Sequence, residues 1–192
     1  MKNSKVNFPT ITLLIALLAF GQLAFAQNAK PRKSPKASVM QRIGADTDVV
    51  IDYSRPGVKG RTVWGDMIPY GMNPGNKYSK DKPYPWRAGA DENTTITFTK
   101  DVTINGKKIA AGKYGLHMLP GKSEFKVMFN TVNDSWGSYA YDASKDALVI
   151  SVKPEKCEHT EWLEFGFEGL SATGATVFLK WEEVKIPFKV AL

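Results

Sequence analysis

Between residues 53 and 92 the chain carries three arginines, Arg55, Arg61 and Arg87, close in sequence to Tyr53, Trp64 and Trp86. A guanidinium is a planar fork that pairs bidentately with a carboxylate or phosphate, and an aromatic ring stacks on the apolar face of a sugar. Brought together, these side chains would bind an anionic small molecule or a carbohydrate. The alternative is that the same arginines pair with Asp52, Asp66, Asp91 or Glu92 and staple an irregular segment to the fold. Long loops need such tethers because their buried backbone groups must be satisfied. Tyr114 and His117 complete the candidate ligand-binding set. An open concave surface lined by Trp86, Arg87, Arg55 and Tyr114 would mark binding, whereas buried, mutually paired arginines would mark a structural role.

Other chemistry is less well supported by residue type and spacing. Asp91 and Glu92 could supply the acid and base of a glycoside hydrolase, but neighbours on an extended strand point to opposite faces, so the two cannot easily act as a pair. A partner such as Asp52 or Asp66 would be needed. His117 lies in "KYGLHMLPG" with no Ser or Cys nucleophile motif beside it, which favours a packed or surface role over catalysis. Cys157 and His159 offer two metal ligands at i and i+2, fewer than the three or four that zinc requires, so no metal and no cofactor is expected. The segment "WGSYAYDASKDAL" does not match a calcium loop and reads as an aromatic turn capping the open end of a sandwich.

The elements that must position these residues are strands. Apolar residues recur at every second position in "DVVIDYS" (Val49, Ile51, Tyr53), "EFKVMFN" (Phe125, Val127, Phe129) and "DALVISV" (Leu148, Ile150, Val152). Three further runs follow the same rule, with Leu163, Phe165 and Phe167 in the first, Val177, Leu179 and Trp181 in the second, and Val184, Ile186, Phe188 and Val190 in the third. Period two buries one face of a strand, and no segment keeps a helical period for three turns. Asn105-Gly106 fits a two-residue hairpin, since both central positions need positive φ. Pro187 lacks a backbone donor and predicts an edge position or one-sided pairing. The sum is an all-β fold of about nine strands, a single antiparallel β-sandwich for which a jelly-roll is one option. The exception is 54–93, rich in Gly, Pro and aromatics, which predicts a long irregular segment of the kind that carries function.

At the N-terminus, Lys2 and Lys5 precede an apolar run from Ile11 to Phe20 and the small-x-small sequence Ala24-Phe25-Ala26. This is the form of a cleavable export signal over residues 1–26, and its apolar run is shorter than the roughly 20 residues of a membrane span. No Cys follows the run closely enough for a lipid anchor. Residues 27–36, "QNAKPRKSPK", read as a flexible basic arm, and residues 37–192 as one domain held by its core, because the single Cys157 cannot form an internal disulfide. The formal charge of +7 falls largely on the leader and the arm. From residue 37 onward, 20 Lys and Arg face 19 Asp and Glu, so a basic groove for nucleic acid is not expected.

The chain resembles the family filed as domain of unknown function 2911. The residues that carry the likeness are "SPKASVMQRIG", "DYSRPGVKGRTVWG", "PYG", "WRAGADENTTITF", "DVTINGKKIAAGKYGLHMLPG", "FKVMFN", "WGSYAYDASKDAL" and "VKPEK". The resemblance implies a small exported bacterial β-domain and no defined activity. Where members of that family pass almost directly from the Pro-Tyr-Gly element to Trp-Arg, this chain interposes "MNPGNKYSKDKPYP", residues 72–85, either a lid over the site or a tolerated surface insertion.

These observations predict an exported, periplasmic or extracellular, non-catalytic binding domain for a small-molecule or glycan ligand, built on Tyr53 to Glu92. The alternatives are an envelope- or polysaccharide-directed hydrolase and a structural or accessory protein without a small-molecule site.

Overall fold

Strand alternation in the sequence becomes two facing sheets in the computed structural model, which describes residues 30–192. The strands are β1 (Lys36–Ile43), β2 (Thr47–Ser54), β3 (Thr95–Phe98), β4 (Val102–Ile104), β5 (Lys107–Ile109), β6 (Gly112–Leu119), β7 (Phe125–Asn130), β8 (Asp146–Val152), β9 (Glu155–Ser171) and β10 (Gly174–Ala191). A six-stranded sheet has the order β1-β2-β3-β6-β7-β8, and a four-stranded sheet the order β5-β4-β10-β9. Every pairing is antiparallel. Among the described residues there is no α-helix, only a 3-10 turn at Ala143–Lys145, and none of their helices is long and apolar enough to cross a membrane. The expected leader at 1–26 and residues 27–29 of the expected arm lie outside the described residues.

The inward faces meet through the residues that the period-two pattern selects. Val49, Ile51, Phe125, Val127 and Phe129 from the larger sheet, and Leu163, Val177, Leu179, Ile186 and Phe188 from the smaller, are all buried. Rings lock the two layers at defined points. Phe129 meets Phe188 edge-on at 5.8 Å, and Tyr53 meets Phe165 at 5.0 Å. Tyr53 is additionally held because its hydroxyl accepts from the Phe165 N–H at 3.2 Å.

Local outcomes can be set against the sequence pattern. The two C-terminal strands expected at 175–182 and 184–190 are one strand, β10. Its inward residues change parity, from 177, 179 and 181 to 186, 188 and 190, at a bulge where the ladder to β9 shifts register and Glu182 takes φ 58°. One extra residue in a strand has that effect. Pro187 then sits between the last β9 pairing at Lys185 and the first β4 pairing at Val190, so its missing donor costs no ladder bond even though β10 is not an edge strand. Asn105 and Gly106 join β4 to β5 with φ 47° and 79°, as the hairpin reading requires. The compact unit begins earlier than the arm reading allowed, at Lys33, with Pro35 already accepting from the Arg55 N–H at 2.8 Å. Residues 30–32, the described part of the preceding unit, carry no strand.

Trp181 is only 1% exposed and contacts both Trp64 and Trp86, so its loss removes packing from both rings at once. Trp181→Ala is expected to lower unfolding free energy by about 3–5 kcal/mol, measured by urea denaturation with an unchanged m-value.

Candidate functional site

The segment between β2 and β3 carries the candidate site, and it is fastened to β6 at two points. Trp86 and Met118 exchange both main-chain hydrogen bonds, at 2.9 and 2.8 Å, and Leu116 N–H donates to the Thr94 carbonyl at 2.8 Å. Between these anchors residues 87–93 leave the ladder and loop outward. The excursion is tight enough to force Ala88 and Asp91 to positive φ, 50° and 58°. Gly89 fits because a Cβ there would lie 2.7 Å from Thr94 Oγ1 and 3.0 Å from the Ser54 carbonyl. Trp86 Nε1–H closes the loop from inside by donating to the Gly89 carbonyl at 3.1 Å.

Beneath this loop lies a cluster of indoles. Trp86 stacks on Trp181 at 5.9 Å with an interplanar angle of 18°, and Trp64 meets Trp86, Phe125 and Trp181 edge-on at 5.5, 5.4 and 5.9 Å. The three arginines act mainly on the backbone around it. Arg55 Nε donates to the Leu163 carbonyl at 2.7 Å, with Glu164 3.5 Å away. Arg61 donates to the carbonyls of Val58 and Gly57 at 3.0 and 2.6 Å. Arg87 donates to the Asp91 carbonyl and lies over the Tyr139 ring, 4.9 Å from its centroid. Gly137 makes room for that guanidinium, since a Cβ at 137 would land on it.

A cleft of about 740 Å³ opens beside this assembly. Of the predicted residues it brings together Arg61, Trp86 and Arg87, with Asp91 and, from the insertion, Asn73 and Tyr84. Trp64 lines a neighbouring cleft of about 660 Å³ that also touches Arg61. Arg55, Tyr53, Tyr114 and His117 do not line the larger one. Arg55 reaches β9, Tyr53 is in the core, and Tyr114 faces the interior with its hydroxyl on the Ala110 carbonyl at 2.9 Å. Three further residues that residue type and spacing do not single out line the larger cleft: Lys33 from the basic stretch before β1, Lys59 between Arg55 and Arg61, and Trp181 from the inward face of β10. The Trp181 indole N–H is buried without an acceptor, an unusual state for a buried polar group.

The insertion is an ordered wall rather than a loose lid. Asn73 and Tyr84 bridge as antiparallel partners, Asn76 Nδ2 donates to the Tyr84 hydroxyl at 2.9 Å, and Tyr84 packs edge-on against Tyr139 at 5.0 Å. Asp91 and Glu92 do part company, although the cause is the looped-out backbone, since β3 starts only at Thr95. Asp91 lines the cleft just described. Glu92 lines another of about 640 Å³, with Asp52 and Asp134, and is engaged by Lys36 at 3.0 Å and Ser54 Oγ at 3.3 Å. Among the described residues no group of three His, Cys, Asp or Glu could hold a metal ion. Cys157 is half-buried, and burial raises its thiol pKa.

His117 points away from the core on β6, yet is 2% exposed because the "WGSYAYDASKDAL" segment closes over that face of the sheet. Its Nδ1 shares a 2.7 Å hydrogen bond with Ser138 Oγ, and its ring meets Tyr141 edge-on at 5.2 Å. Tyr141 in turn donates to Asp146 at 2.5 Å, and Asn130 Nδ2 donates to the same carboxylate at 2.7 Å. Burial, assisted by the Arg87 charge, lowers the His117 pKa from its ordinary 6.5 to about 4. Burial also raises the pKa of Asp146.

The unfolded chain takes up a proton at His117 near 6.5, whereas the folded chain resists until about 4. The stability conferred by neutral His117 is therefore fully present above the higher value and is lost as pH falls toward the lower one. Between about pH 7.5 and about pH 4.5 the loss amounts to about 2–3 kcal/mol. Urea unfolding at these two pH values is expected to show a drop larger by that amount in the parent than in His117→Gln. Carboxylates common to both proteins cancel in the difference.

No curated protein and no solved structure matches this chain. A family model does, the one described as "Protein of unknown function (DUF2911)", and its match runs over residues 34–190, from just before β1 to the penultimate residue of β10. The sandwich, the looped-out Trp-Arg element and the indole cluster beneath it are all inside that span, and the chain belongs to this family.

Proposed function

We propose that this protein is an exported, non-catalytic binding domain whose ligand is a small anion carrying carboxylate or phosphate oxygens, held in the cleft beside Trp86 and Arg87. The observation that carries the reading is the charge around that cleft. Lys33, Lys59, Arg61 and Arg87 line it against one carboxylate, Asp91. Each guanidinium has N–H groups beyond those given to carbonyls, since the fork has five. The unpartnered Trp181 N–H adds a neutral donor that a ligand oxygen would satisfy. A sugar is less suited to this cleft, because Trp86 and Trp181, 4% and 1% exposed, stack on each other and offer no open ring face. Export rests on the leader-like residues 1–26.

A second reading, a structural or accessory protein, is supported by the arginine bonds to carbonyls of the segment and of β9. One experiment separates the two. Lys33 and Lys59 are exposed, so Lys33→Ala/Lys59→Ala keeps the fold. Ligand binding to the native state alone raises the melting temperature with concentration. Inorganic phosphate and citrate, titrated to about 20 mM, are expected to raise the melting temperature of the parent, and the double variant to bind about tenfold more weakly. If neither anion shifts the parent beyond a matched chloride control, the structural reading stands.

A further inference from the structure

We propose that the outer face of the six-stranded sheet carries a second ligand site, for a neutral oligosaccharide, in the cleft between strands β1 to β3 and the loop of residues 133–136. Trp136 is its stacking ring and Asn93 its buried amide.

The cleft measures about 640 Å³. Strand alternation that turns Ile51, Tyr53 and Ile96 inward turns Asp52, Ser54 and Thr95 outward, so the floor is made of hydroxyls and a carboxylate. Its charges nearly cancel, with Lys36 and Lys113 facing Asp52, Glu92 and Asp134. The cation-rich first cleft suits an anion; this one suits an uncharged ligand with many hydroxyls.

Trp136 is 61% exposed, so its ring is free to meet the apolar face of a pyranose. It also stands at a junction. An adjoining cleft of about 540 Å³ shares Ser135 and Trp136 and continues to Tyr139 and Tyr78. Tyr78 is 66% exposed and lies 5.5 Å from the Tyr139 ring. Exposed rings at both ends of the two adjoining clefts, Trp136 and Tyr78, fit more than one sugar unit, which points to an oligosaccharide rather than a monosaccharide.

Asn93 supplies the independent sign of a ligand. The residue is 8% exposed and lines the cleft, yet its side-chain nitrogen and oxygen both lack a partner. A buried amide with donor and acceptor both unmet carries its full desolvation cost. Adjacent sugar hydroxyls, each of which can donate and accept, match that pair of needs. Gly115 leaves the space the amide occupies, because a Cβ there would lie 2.6 Å from Asn93 Nδ2 and 2.6 Å from the Val132 carbonyl. The loop over the amide is held to it by a long main-chain bond, Asn93 N–H to the Ser135 carbonyl at 3.3 Å. The same loop is fixed to β6 by Asn133 Nδ2, which donates to the Lys113 carbonyl at 2.9 Å, so a sugar hydroxyl meets Asn93 by displacing the Ser135 end of the loop alone.

The test is titration with cellotetraose, maltotetraose and chitotetraose, followed by tryptophan fluorescence and by the indole resonances in a nitrogen-proton correlation spectrum. At least one of them is expected to bind with a Kd below about 1 mM. Trp136→Ala, an exposed substitution that leaves the core intact, is expected to weaken it at least tenfold, and Lys33→Ala/Lys59→Ala to leave it unchanged. The proposal is overturned if none of the three binds at about 10 mM, if binding survives Trp136→Ala, or if it is the lysine variant that abolishes it.

Discussion

The pair of main-chain hydrogen bonds between Trp86 and Met118 is the constraint on which the rest of the site depends. It makes Trp86 a detached piece of the strand that resumes at Thr95, with the residues between looped out of the ladder. A backbone group taken from a ladder must find another partner or face water. Here the partners are provided by Trp86 Nε1 and Arg87, which donate to Gly89 and Asp91. The loop is therefore rigid without secondary structure of its own. Its direction, in turn, sends Asp91 and Glu92 into separate clefts.

The same anchor directs the Trp86 ring onto Trp181, which joins the irregular segment to the second sheet. Trp64, edge-on to both, extends the attachment upstream. Packing of three indoles at one place, two of them buried and Trp64 partly so, explains how about forty residues without strands remain ordered, because each large ring removes much apolar area from water. The cost is two indole N–H groups, on Trp64 and Trp181, that are buried without acceptors. Buried donors without acceptors are exceptions in folded proteins.

The sheet between the clefts gives them different chemistry. On the first cleft the lining is supplied by a loop and by the start of the compact unit, where lysine and arginine outnumber acids. On the outer face the lining is the alternate set of strand residues, which are hydroxyls and mixed charges. His117 belongs to that outer face but is sealed under Ser138 and Tyr141, so burial and not exposure sets its protonation.

Strand positions, inward residues, the Asn105-Gly106 hairpin and the irregular stretch after Ser54 were legible because each follows from local rules, a two-residue period or a turn requiring positive φ. Even the β10 bulge is visible as a change of parity between Trp181 and Val184, although continuity of the strand across it is not. The candidate site was legible only in part. Arg61, Trp86 and Arg87 are close in sequence and do share a cleft. The partner of Arg55 is a carbonyl 108 residues away, the ring under Trp86 comes from β10, and Lys33 comes from what reads as an arm. Such contacts depend on which strands become neighbours, and side-chain periodicity contains no information on strand order. Sequence alone determined which faces are buried and where the chain turns, since these are set by residues a few positions apart. Tertiary structure decided which side chains meet, because that is fixed by sheet pairing across the whole chain.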